Sequence, residues 1–132
     1  MRNIYTLAAA LLALTGCATV PPPPTAAQTF ATHCASCHGQ LGEGDGPMVE
    51  VMRVNVPNLR QLAERNDGRF PTDAVAGYID GRNLPASHGD RVMPVWGDVF
   101  DTTASLLSDA EAAEARIAAI VDYLNSIQYD AR

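Results

Sequence analysis

The chain has 132 residues, 47% of them apolar and only 6% aromatic, with a formal charge of −6. That length suits one domain once a leader is set aside. The nine basic residues are all arginine and form no run, so nothing here would neutralise a phosphate backbone and a nucleic-acid role is excluded. The acidic balance keeps the protein soluble and favours a partner that offers a positive patch.

Met1-Arg2-Asn3 places one positive charge before Ile4 to Leu14, an apolar run broken only by Tyr5 and Thr6. A bilayer-spanning helix takes about 20 residues, so this shorter run reads as the core of an export signal. It ends in Leu14-Thr15-Gly16-Cys17, which resembles the lipobox of bacterial lipoproteins. The resemblance implies cleavage of residues 1–16 and acylation of Cys17. Several acyl chains on one cysteine would hold the protein at a membrane surface, on the periplasmic side. Residues 17–25 then form a tether, in which Pro21 to Pro24 favour an extended polyproline helix. At about 3.1 Å per residue, eight such residues reach on the order of 25 Å from the headgroups.

The folded domain is expected over 26–132. An alanine-rich stretch without glycine or proline, Thr25 to Ser36, predicts a helix with Phe30 as its packing residue. Its end carries Cys34-Ala35-Ser36-Cys37-His38. Two thiols at this spacing can add to the two vinyl groups of one haem, and the adjoining imidazole can reach the iron from the same face. C-x-x-C alone would also fit a redox dithiol or half a zinc site; the following histidine, with no second cysteine pair, selects covalent haem c. The cysteine count then closes, with Cys17 for lipid and Cys34 and Cys37 for haem. His33, beside Cys34, reads as a surface residue.

Gly39 to Val56 is punctuated by Gly42, Gly44, Gly46 and Pro47 and predicts a loop, with a short helical turn somewhere in 48–56. A short helix follows over Leu59 to Asn66. Asp73 precedes Ala74-Val75-Ala76, which predicts a helix near 73–80 closed by Gly81. Residues 82–94 form a second long loop, and Val95 to Asp101 are partly helical. Ser108 and Glu111 have capping-box spacing. Ile117, Ile120, Val121, Leu124 and Ile127 then share one helical face, which predicts a helix over 109–127. No strand pattern competes. The fold class is all-α, with short helices and long loops packed round one haem.

His38 supplies one axial bond, and the sixth position decides the chemistry, since methionine or histidine there gives an electron-transfer centre and an open site gives ligand binding or catalysis. Met93, followed by Pro94, lies on a stiffened extended segment and is the favoured ligand. His88 is the runner-up. Met48 and Met52 read as packing residues. The Pro47 carbonyl is a candidate acceptor for the second imidazole nitrogen of His38. Arg53, Arg82, Arg91 and the indole N–H of Trp96 are candidates for the haem propionates.

Taken together, the haem motif after a helix, Gly44-Asp45-Gly46-Pro47, Pro57-Asn58-Leu59, Met93-Pro94-Val95-Trp96-Gly97 and Ile120-Val121-Asp122-Tyr123-Leu124 resemble the class I cytochromes c. The resemblance covers roughly 25–130. It implies crossed terminal helices with Phe30 against Tyr123 and Leu124, a haem with one exposed edge, and ligation by His38 and Met93. Ala26 or Ala27 stands where the first helix often has a glycine, and the lysine ring of mitochondrial relatives is absent. The expected role is electron transfer rather than enzymatic turnover. The donor would be a quinol-oxidising complex or dehydrogenase, and the acceptor a terminal oxidase or reductase. The alternative is a haem subunit docked in a larger oxidoreductase.

Overall fold

The computed structural model describes residues 22–84, 92–102 and 110–130. Cys17 with the leader, His88, Arg91 and the capping position Ser108 lie outside the described residues.

Helix α1 spans Ala26–His33. Thr25 caps it: its Oγ1 accepts from Gln28 N at 3.3 Å, while Gln28 Oε1 accepts from Thr25 N at 2.8 Å. The helix expected to run on to Ser36 breaks instead at Cys34, whose φ of −114° leaves the helical path. A second short helix, α2 (Ala35–His38), then re-aims Cys37 and His38 and stops at Gly39. Helix α3 covers Met48–Met52, within the predicted loop.

Leu59 to Asn66 forms two 3-10 turns, Leu59–Gln61 and Glu64–Asn66, where one short helix is expected. The cause is a side chain from the far end of the chain. In an α-helix the N–H of Ala63 would donate to the carbonyl of Leu59. Here Ala63 N donates to Gln128 Oε1 at 2.9 Å, and Gln128 Nε2 donates to Leu59 O at 2.8 Å. The amide has inserted itself into that one helical bond and split the turn.

Helix α4 (Thr72–Asp80) ends where predicted, with Gly81 in the left-handed region at φ 73°. Helices α5 (Trp96–Thr102) and α6 (Ala110–Ser126) complete the described elements, and no strand occurs among them. Helix α6 buries Ile117, Ile120, Val121 and Leu124 of the predicted face together with Ala113, while Ile127 lies just past its end and is half-buried, and the helix packs against α1, α4 and α5. Phe30, Ile79 and Phe100 contribute the rest of the large core side chains from α1, α4 and α5. Phe30 meets Tyr123 with ring centroids 5.4 Å apart, which joins the first helix to the last. The fold is all-α, as expected. Among the described residues no helix is long and apolar enough to cross a membrane.

Candidate functional site: an apolar cavity at the cysteine pair

All these helices leave a space between them. A cavity of about 1020 Å³ opens between the α1–α2 corner, the segment 54–62, α4 and the residues leading into α5. Cys34, Cys37 and His38 stand on one side of its lining, and Met93 and Trp96 contribute from the segment before and at the start of α5. Pockets for small ligands run from about 300 to 1,000 Å³, so this one takes a large body. Among the described residues no aspartate, glutamate, lysine or arginine lines it. Its walls are aliphatic and aromatic, from Phe30, Leu59, Leu62, Val75, Ile79 and Ile120 among others. Such a space fits a flat, mainly apolar ring and would be costly to leave open to water.

The chemistry of the donors agrees with a haem. Burial, helped by the neighbouring Cys37, pushes the Cys34 thiol up to about 11. A redox dithiol needs the opposite shift, towards thiolate. A thioether, by contrast, carries no charge and loses nothing in an apolar wall. Among the described residues no group of three or more His, Cys, Asp or Glu side chains converges as a zinc site requires. Burial also lowers the pKa of His38 and keeps its imidazole neutral, the form that binds iron. His38 Nδ1 is buried with no hydrogen-bond partner. The backbone carbonyl that acts on this ring is that of Pro57, which favours the protonated imidazole without completing a hydrogen bond; it is not that of Pro47.

The glycine-rich loop holds the motif from outside. Gly44 N donates to His38 O at 2.8 Å and Gly46 N to Cys37 O at 3.2 Å. A Cβ at Gly46 would stand 2.5 Å from Ser36 O and from the Cys37 carbonyl carbon, so only glycine lets the loop lie this close.

The predicted site residues therefore divide. Cys34, Cys37, His38, Met93 and Trp96 share one cavity. Arg53 is exposed, closes α3 in the left-handed conformation at φ 53°, and is not part of the lining. Arg82 is also absent from the lining and is engaged by two carboxylates, with Nε 2.7 Å from Asp80 Oδ1 and an Nη1 atom 3.9 Å from Asp101 Oδ2. Met52 reaches the cavity, whereas Met48 does not.

His33 is not the surface residue the sequence suggested. Its ring lies 5.5 Å from Trp96 and 5.6 Å from Phe100, edge to face, and it lines the cavity. The signal was present in its spacing: three residues after Phe30, it falls on the same face of α1. Asn55 and Tyr78 also line the cavity and were not singled out, because nothing local marks which loop and which helix face complete a wall.

Comparison with curated proteins and with solved structures returned no match. A family model for cytochrome c, in contrast, matches residues 25–128, from the cap of α1 to the amide that splits the 59–66 segment. The match takes in the cysteine pair, the histidine, the cavity and both packed terminal helices. The chain belongs to the cytochrome c family, electron-transfer proteins whose cofactor is covalent haem c.

Proposed function

We propose that the protein is a monohaem, class I member of its family. In this reading acylated Cys17 tethers it to the periplasmic side of a bacterial membrane. There it carries single electrons from a quinol-oxidising complex or dehydrogenase to a terminal oxidase or reductase. It is a carrier and not an enzyme. The observation that carries the reading is the convergence of Cys34, Cys37, His38 and Met93 on one cavity whose described walls carry no charge. When bound, the haem supplies a one-electron iron couple.

The residues of the chain do the rest. The two sulfurs fix the ring, and neutral His38 offers the iron one nitrogen. Met93 offers a thioether, which favours the reduced form relative to histidine. Met93 is preferred to Met52 because Pro94 stiffens its backbone and its side chain packs against the core. A single haem motif in the chain supports one haem. The lipobox and the proline run support a mobile carrier on a tether.

The test is the optical spectrum of the oxidised and reduced protein with a redox titration, on wild type, Met93→Ala and Met52→Ala. Low-spin spectra with a sulfur-to-iron band lost only in Met93→Ala support the assignment. Loss of that band in Met52→Ala instead would transfer the ligand role. Cys17→Ser should move the haem protein from the membrane to the soluble periplasmic fraction. A Cys17→Ser protein that stayed on the membrane would end the lipid-anchor reading. Native membranes gently solubilised and sized then separate a free carrier from a docked subunit.

A further inference from the structure

Residues 82 and 97 bracket the segment that carries Met93, and the Arg82 side chain lies against the Gly97 backbone. Arg82 follows the glycine that ends α4. Its Nε lies 2.7 Å from Asp80 Oδ1 at the end of the same helix, and its Nη1 lies 3.9 Å from Asp101 Oδ2 on α5. The side chains of Arg82, Asp80 and Asp101 are 28%, 18% and 22% exposed. This ion pair lies directly over Gly97, in the first turn of α5. A Cβ there would overlap Asp80 Oδ1 and stand 2.5 Å from Arg82 Nε. Gly97 is itself buried. The missing side chain is thus the space in which the guanidinium and the carboxylate sit.

We propose that Arg82, with Asp80 and Asp101 and seated over Gly97, is a clasp that positions Met93 on the iron. Arg82 does not touch the cavity. It acts by joining the end of α4 to α5 across the base of the Met93 segment. With the base closed, the thioether has a short search and rebinds quickly after each dissociation. With the base open, the same side chain has more conformations to lose on binding. The inference rests on Met93 as the sulfur ligand.

The test uses the holoprotein and imidazole as the competing ligand. Imidazole binds the ferric iron only when the thioether has left, so its apparent affinity reports that equilibrium. Arg82→Gln should tighten imidazole binding about two- to five-fold, the range of a partly exposed ion pair. Gly97→Ala should do the same from the other side, by displacing the pair. Because the two changes open one clasp, the double variant should show no more than the larger single effect. Arg82→Lys, which keeps the charge, should lie closer to wild type than Arg82→Gln does.

Unchanged imidazole affinity in Arg82→Gln overturns the clasp, as do effects that multiply in the double variant or an Arg82→Lys protein equal to Arg82→Gln. Met93→Ala is the control that separates the two readings. If it tightens imidazole binding and Arg82→Gln does not, the clasp alone falls. If Met93→Ala matches wild type, the ligand assignment falls and the clasp falls with it.

Discussion

Phe30 and Tyr123 meet with their ring centroids 5.4 Å apart and their planes tilted by 50°, so the first and last helices are joined ring to ring. Phe30 is almost fully buried, at 1% exposure, and it also lines the cavity. One side chain therefore serves both the helix crossing and the wall of the haem site. Replacing it opens a void where α1 meets α6. Phe30→Ala should lose about 3–5 kcal/mol of stability, read as a lower midpoint in denaturant with covalent haem retained. A midpoint within error of wild type would show that this crossing is not what holds the domain.

The C-terminal tail should matter as much as a core helix. Gln128 is bonded to Leu59, Ala63 and Leu124, and Tyr129 N donates to Arg60 O at 3.0 Å. Tyr129 OH donates to Glu43 at 2.8 Å, and the Arg60 guanidinium lies 4.2 Å above the Tyr129 ring. Gln128→Ala leaves three part-buried backbone groups, Ala63 N, Leu59 O and Leu124 O, without their amide partner. A loss of about 1–2 kcal/mol is expected in thermal or denaturant melts. Gln128→Glu should cost at least as much, since a carboxylate cannot donate to Leu59 O.

The haem attachment itself gives a sharp outcome. Cys34→Ser with Cys37→Ser should yield a chain with no covalent haem, detected by mass and by loss of haem staining on a denaturing gel. His38→Ala should be distinguished from it by retaining any haem that is attached while losing the low-spin spectrum. Covalent haem on the double serine variant would remove the basis of the site.

Gly46→Ala should be harmful out of proportion to its size. The added carbon would press on Ser36 O and the Cys37 carbonyl carbon, both backbone atoms with no freedom to swing aside. A loss of about 1–3 kcal/mol is expected, read in the same melts. Gly68→Ala provides a comparison, because a Cβ there meets nothing within 4 Å and only its φ of 79° opposes the change.

The formal charge of −6 and the absence of lysine set the sign of the salt dependence. Electron transfer to a partner with a positive face should slow as ionic strength rises, because screening removes the steering. A rate that climbs with salt would mean that like charges face each other at the contact.

What could be read from the sequence followed its periodic and covalent features. The α6 face from Ile117 to Leu124 was legible because four apolar residues at helical spacing have one explanation. Gly81 closed α4 because a left-handed residue ends a helix wherever it occurs. The break at Cys34 was not legible, since alanine-rich sequence continues through it. The 3-10 turns at 59–66 could not be read locally at all, because the residue that causes them is 65 positions away from Ala63. His33 was misjudged for a related reason: its neighbours Trp96 and Phe100 come from α5. Arg82 illustrates the limit for charges, since a cation near a haem segment has no marked partner until Asp80 and Asp101 are placed.

Under the export route proposed above, the split turn at 59–63 bears on the order of events. A polypeptide leaves the translocon amino end first, so the attachment motif emerges long before Gln128 does. Until that amide arrives, the backbone that carries Leu59 and Leu62 lacks the bonds that give it its final shape, and closing so distant a contact is slow. Both leucines line the cavity. The wall that these two leucines form is thus completed by an amide more than sixty residues away, at the opposite end of the described fold.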